Sequence, residues 1–225
     1  MENILYKPTF LFDYDGTLCD TQNAIVTSMQ ALFQFHQHSI PNADELMDLV
    51  GSGNSIQETL LALAVNEKSI TQWVNIYRNL YAQHEYLVRL FEGTHETLAY
   101  LHACKYRLIL VSNKGRAAVD TSLKAFHLQG YFDLVIAEQN DFAKKPSALV
   151  LTERILPVFP DALGEQCVVV GDTAADLHFA KNIGANSCFA AYGFGNSLVC
   201  SAIGYTHHLE KLSDLITLYP SNSQN

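Results

Sequence analysis

The chain has 225 residues, 48% hydrophobic and 16% charged, which predicts a packed core and excludes wholesale disorder. A formal net charge of −9 argues against nucleic acid or an anionic membrane as the main partner, so a phosphorylated substrate would need local cations or a metal. Cys19, Cys104, Cys167, Cys188 and Cys200 are odd in number and lack metal-ligand spacing, the pattern of reduced thiols in a cytoplasmic protein.

Residues 1–8 carry no apolar leader segment, and no stretch has the length of a membrane helix. The apolar run Thr9 to Phe12 reads as a buried strand, and it ends on Asp13-Tyr14-Asp15-Gly16-Thr17. Residues from about Thr21 to Leu90 read as helical, with no strand signal between them. Ala24-Ile25, Ser28-Met29 and Leu32-Phe33 fall at helical spacing, and Asn42/Glu45 and Ser55/Glu58 have capping-box spacing for two further helices. Trp73, Ile76, Tyr77, Leu80 and Tyr81 form the apolar stripe of a fourth helix, read as core of this helical block.

From Gly93 the pattern becomes alternating. Helices are predicted over Thr94–Ala103, Ala117–Phe126, Ser147–Leu156 and Ala174–Ile183, the last closed by Gly184. Strands are predicted at Tyr106–Val111, Phe132–Ala137, Cys167–Val170 and Ser187–Ala191, the last strand of the chain. This is the order of a Rossmann-like α/β fold: a parallel sheet core, 1–18 and 93–225, with an inserted helical cap, 19–92. His207-His208 reads as a surface pair and Cys19 as a small buried residue.

Ligands of a parallel sheet sit outside the carboxyl ends of its strands, so the polar groups there carry the chemistry. Two carboxylates one residue apart, Asp13 and Asp15, offer a nucleophile and hard oxygen ligands for Mg²⁺; the competing reading is an Asp/Gly-rich turn. Ser112 and Asn113 offer a hydroxyl and an amide to phosphoryl oxygens, or are an ordinary turn. Lys144 and Lys145 are either a solvated pair or the source of a cation that would keep the nucleophile ionised. Asp172 and Asp176, one helical turn apart, either face one metal or serve the helix start as a Thr173/Asp176 capping pair; both roles can hold together.

Taken together and in order, Asp13-Tyr14-Asp15-Gly16-Thr17, Ser112-Asn113, Lys145-Pro146 and Gly171-Asp172-Thr173-Ala174-Ala175-Asp176 resemble the four motifs of the haloacid dehalogenase superfamily. The resemblance implies Asp13 as nucleophile, Asp15 as general acid and then base, and Lys145 as the group steadying Asp13. It implies phosphate binding by Thr17 and Ser112, with Asn113 beside them. It implies Mg²⁺ held by Asp13, the backbone carbonyl of Asp15, and Asp172, with Asp176 close by. An acid at Asp15 favours a phosphatase or phosphomutase over a dehalogenase, since a leaving alkoxide must be protonated, a step worth ~10²- to 10⁴-fold.

Leu18-Cys19-Asp20, the Gly51-Ser52-Gly53 turn and Phe91-Glu92-Gly93 resemble the phosphoglycolate phosphatase-like group. Thr21, Ser147-Ala148 and Tyr192-Gly193-Phe194-Gly195 depart from its pattern. The resemblance implies a small phosphorylated substrate, phosphoglycolate first, with pyrophosphate, a sugar phosphate or a nucleotide monophosphate left open and a phosphomutase less favoured. Two readings of another class are a phosphoryl-acceptor signalling domain, which needs no cap, and a silent binding protein, which needs no intact Asp13, Asp15, Lys145 and Asp172. Gly51, Ser52, Gly53 and Asn54 precede a helix capped by Ser55, so their amides are candidates to receive an anionic part of the substrate, with Arg89 as a second cation; a plain helix–helix turn is the competing reading.

Overall fold

A computed structural model of the chain describes residues 8–139 and 143–221. Strand β1 (Thr9–Phe12) is buried along its length and is followed, after the acidic turn, by the two-residue strand β2 (Cys19–Asp20). Helices α1 (Gln22–Phe35), α2 (Ala43–Gly51), α3 (Ile56–Ala62) and α4 (Ile70–His84) come next, and β3 (Arg89–Leu90) returns antiparallel to β2. This short ribbon is the one place where strand interrupts the helical block, against the sequence expectation. Two residues are too few to show a period, so pairing with β2 is what makes β3 a strand.

The core alternates from there. Helix α5 (Thr94–Ala103), β4 (Arg107–Gly115), α6 (Arg116–Ala125) and β5 (Leu134–Glu138) lie on one side of β1. Then β6 (Cys167–Gly171), α7 (Ala174–Ile183), β7 (Asn186–Ala190), α8 (Ser197–Ile203), β8 (His207–Leu209) and α9 (Asp214–Leu218) follow on the other. The six strands run in the order β5-β4-β1-β6-β7-β8, each paired parallel to its neighbour. The strand predicted as last is therefore not last: β8 adds an edge of three residues, with His207 half-buried and His208 hydrogen-bonded to Tyr205 and Glu210. Between β5 and β6, the segment predicted as an α-helix closes through the wider bond Leu156 N to Leu151 O at 2.9 Å, a π turn over Leu151–Ile155 that turns both end residues into the core.

Central β1 is flanked by β4 and β6, to which the chain goes in opposite directions, so the topological switch and its crevice fall at the carboxyl end of β1. Phe10 and Phe12 on one face of β1 join Leu108, Leu110, Val168 and Val170, while Leu11 on the other joins Ile109, Val111 and Val169. Both faces are covered, which is why these strands read as continuous apolar runs. In the helical block, α1 and α4 pack through Met29, Leu32, Phe33, Trp73 and Tyr77. The caps are formed as the spacing predicts: Asn42 accepts from Glu45 N at 2.8 Å, and Ser55 and Glu58 make a reciprocal box.

Candidate active site

The four polar strand ends meet. Asp13 follows β1 and its N–H still donates to Val170 O at 2.9 Å, so the ladder with β6 fixes where its side chain begins. Lys145 Nζ lies 2.5 Å from Asp13 Oδ1 and 2.6 Å from Asp176 Oδ1, and the three side chains are almost wholly buried. Carboxylate oxygens of Asp13, Asp172 and Asp176 all lie within 4.8 Å of one another. Burial pushes the Asp13 carboxyl up to about 7; Lys145 pulls it back and Asp176 adds to the rise. Burial, together with the charges of Asp13 and Asp176, also raises Asp172 well above the usual carboxylate range. Three buried acids set against one ammonium leave an unbalanced negative charge, and hard, closely spaced oxygens are the donor set that suits a divalent cation such as Mg²⁺. The residues present fit that ion.

Glycine lets the backbone close on Asp172. Gly16 sits at φ +81°, and a Cβ there would lie 2.1 Å from Asp172 Oδ2. The loop after β7, loosely patterned in the sequence, covers the other side: Phe194 N donates to Asp172 Oδ2 at 2.7 Å and Tyr192 OH to Thr17 O at 2.8 Å. Asp176 fills its expected capping role and also holds Lys145. Its Oδ2 accepts from Thr173 N at 3.0 Å and Thr173 Oγ1 at 2.7 Å, capping α7, while Oδ1 takes Lys145.

Several expected phosphate ligands are placed otherwise. The Thr17 hydroxyl is fully buried and donates to Asp172 Oδ1 at 2.9 Å, so it orients an acid rather than facing the cleft. The Asn113 amide clamps the backbone of Lys145 at both ends, donating to its O and accepting from its N at 3.0 Å each. Only Ser112 of the three lines the cleft with a side chain not committed as a donor; its Oγ accepts from Lys114 N at 3.2 Å.

The sequence reading missed Lys114. Its Nζ donates to Asp15 Oδ1 at 2.7 Å and lies 4.1 Å from the centre of the Tyr81 ring. Burial works against its charge, but Asp15 and the two tyrosines Tyr81 and Tyr77 more than offset that and hold the ammonium charged. The available signal was its place directly after Ser112-Asn113. Tyr77 and Tyr81 are buried in the core of the helical block, as expected, and also border the cleft where that block meets the sheet.

The cap turn is in contact with the core. Gly53, at φ +81°, packs against Ala175, where a Cβ would lie 2.5 Å from that of Ala175, and a Cβ on Gly51 would lie 2.4 Å from Phe194 O. Ser52 Oγ donates to Asp48 O at 2.8 Å, and Asn54 lines the cleft. Of the turn amides expected to receive an anion, Gly53 N donates to Val50 O at 2.9 Å; just beyond them, Glu58 Oε2 accepts from Ser55 N at 2.8 Å and Ser55 Oγ accepts from Glu58 N at 3.4 Å. Arg89 is also elsewhere, donating to Tyr86 O and Val88 O in the ribbon. Two ion pairs bridge block and core, Arg78–Glu138 at 2.8 Å and Lys144–Glu58 at 3.1 Å.

No helix among the described residues is long and apolar enough to cross a membrane. A family model described as haloacid dehalogenase-like hydrolase matches residues 10–190. Pyrophosphatase PpaX of Halalkalibacterium halodurans is 26% identical over 214 residues, covering 93% of this chain and 95% of the relative. Among solved structures, a haloacid dehalogenase-like hydrolase from Streptococcus pneumoniae superposes with a TM-score of 0.84 at 22% identity, covering 96% of this chain and 100% of that one. A protein described as a predicted phosphoglycolate phosphatase from Haemophilus somnus gives 0.85 at 20% identity, covering 96% and 99%. With its acids, lysine and inserted helices in that family's order, the chain belongs to the haloacid dehalogenase-like hydrolases, as an enzyme that hydrolyses phosphoric esters.

Proposed function

We propose that the chain is a Mg²⁺-dependent phosphatase of organic phosphomonoesters working through an aspartyl-phosphate on Asp13. The supporting observation is Lys145, which lines the cleft with Asp13 and whose one ammonium joins Asp13 to Asp176 beside Asp172. An Asp13 oxygen attacks phosphorus, forming a carboxyl O–P bond as the ester P–O bond breaks. Asp15, held at the cleft by Lys114, gives its proton to the departing alcohol oxygen. In the second half Asp15 takes a proton from a water that attacks phosphorus, and the Asp13–phosphoryl bond breaks to release phosphate and the carboxylate. Ser112, which lines the cleft, would donate its Oγ–H to a phosphoryl oxygen, while Thr17 holds Asp172 and Asn113 holds Lys145. Asp13, Asp172 and Asp176 would hold Mg²⁺, which when bound neutralises charge on the transferring group. Residues 19–92 act as the cap over a core of 1–18 and 93–225.

Phosphoglycolate, implied by the motifs, and pyrophosphate, named in the relatives, are the reference substrates. Hydrolysis of p-nitrophenyl phosphate with and without Mg²⁺, by the native enzyme and by Asp13→Asn, tests the proposal. Turnover that needs Mg²⁺ and disappears in the variant is expected; near-native turnover in the variant would remove Asp13 from the mechanism.

A further inference from the structure

The cleft is lined by the reacting groups and by a second set of residues. Its volume is about 650 Å³, within the range that encloses a ligand much bigger than a two-carbon acid. Beyond Asp13, Asp15, Ser112 and Lys145, the lining mixes polar Asn54, Thr59 and Gln139 with the half-buried Val50 and Ile56 and the edge of Tyr77; the Tyr81 ring is covered by Lys114.

The charges lining the cleft do not suit a second anion on the ligand. Every cationic side chain among the described residues lining the cleft is already paired within the protein. Lys145 holds Asp13 and Asp176, Lys114 holds Asp15, Arg78 holds Glu138, and Arg116 holds Asp120 at 2.8 Å. Residues 140–142, which follow Gln139 of the lining, are Asn, Asp and Phe, none of them cationic. Glu85 also lines the cleft, and its Oε1 is buried without a hydrogen-bond partner. A ligand carboxylate here would face Glu85 or would have to break one of those pairs and strand its partner. A ligand N–H or O–H would instead satisfy an acceptor that the protein leaves unmet.

Resting on the phosphatase reading above, we propose that the alcohol released is uncharged and nucleoside-sized. It carries a planar ring against Val50, Ile56 and the edge of Tyr77 and offers a hydrogen-bond donor to Glu85. Phosphoglycolate and pyrophosphate, each with a second anionic group, are then the poorer substrates.

The test compares kcat/KM of the full-length enzyme with Mg²⁺ on adenosine 5′-monophosphate, 1-naphthyl phosphate, glucose 6-phosphate, phosphoglycolate and pyrophosphate. The two ring-bearing esters should exceed phosphoglycolate and pyrophosphate by about tenfold or more, the size of one well-made contact. In Glu85→Leu, which has no acceptor, KM for adenosine 5′-monophosphate should rise about fivefold more than KM for 1-naphthyl phosphate, which has no ring donor, with kcat little changed. Phosphoglycolate, pyrophosphate or glucose 6-phosphate as the best substrate overturns the inference while leaving the phosphatase standing. An equal rise in both KM values overturns the Glu85 contact. No Mg²⁺-dependent hydrolysis of any ester removes the phosphatase reading, and this inference with it.

Discussion

Asp13 and Asp176 share the ammonium of Lys145, with Asp172 beside them, in a setting with almost no solvent. Their charge is therefore the site's main cost without a metal, and it should be visible in stability. An unfolded Asp ionises near 3.8, whereas folded Asp13 keeps its proton to about 7. Between those values the folded state binds more protons, so the stability of the chelated protein should fall as pH rises from about 4 to about 7. Thermal unfolding in EDTA across that range checks it; saturating Mg²⁺ should restore stability at neutral pH, because an ion that binds only the folded state stabilises it. A chelated protein equally stable across the range would contradict the burial argument. At the same scale, Lys114→Met should keep the fold and lower kcat about 10- to 100-fold, because Asp15 loses the contact that aims it. Unchanged kcat would show that Asp15 needs no such partner.

At the scale of elements, the question is what seats α3 and the Gly53 turn on the core. Gly53→Val would add a side chain against Ala175 at a backbone angle that L residues resist. An anion site at this turn would make the loss selective for acidic substrates; the packing instead predicts that KM rises for every substrate, p-nitrophenyl phosphate included. A selective effect on acidic esters would favour the anion site. The second clasp is Lys144 with Glu58. Partial burial works against the Glu58 charge, but hydrogen bonds from Ser55 and the Lys144 ammonium hold its carboxyl below the ordinary range. Its contribution is present above the ordinary pKa of 4.5 and is lost as pH falls through the lower folded value. Lys144→Ala should therefore speed backbone hydrogen exchange at α3 at neutral pH, leaving the β1, β4 and β6 amides unchanged. Equal protection of α3 in the two proteins would show that the ion pair does not hold the cap.

For the whole molecule, the layout was legible because the buried strands are continuous apolar runs and the catalytic acids sit at their ends. Thr9–Phe12 and Cys167–Val170 identify themselves, and with them Asp13 and Asp172. Edge pieces were not legible: β8 has three residues and β3 two, too short to carry a period. Nor were contacts across the chain. Lys114 meets Asp15 from 99 positions away, and Tyr81 becomes cleft wall only because α4 docks over β4. Thr17 and Asn113 have the chemistry of phosphate ligands, but the fold uses them to hold Asp172 and Lys145. Residue type gives the donor; only the fold gives its partner.

The covalent step on Asp13 is open to direct measurement. The enzyme is mixed with excess substrate and Mg²⁺, quenched in acid within one turnover, digested, and its peptides are weighed by mass spectrometry. A phosphoryl group should be found on the peptide carrying Asp13, lost on longer ageing before the quench once substrate is exhausted, and absent from Asp13→Asn. Product released in the first turnover with no phosphoryl group on that peptide, or with the group on another residue, would contradict the account.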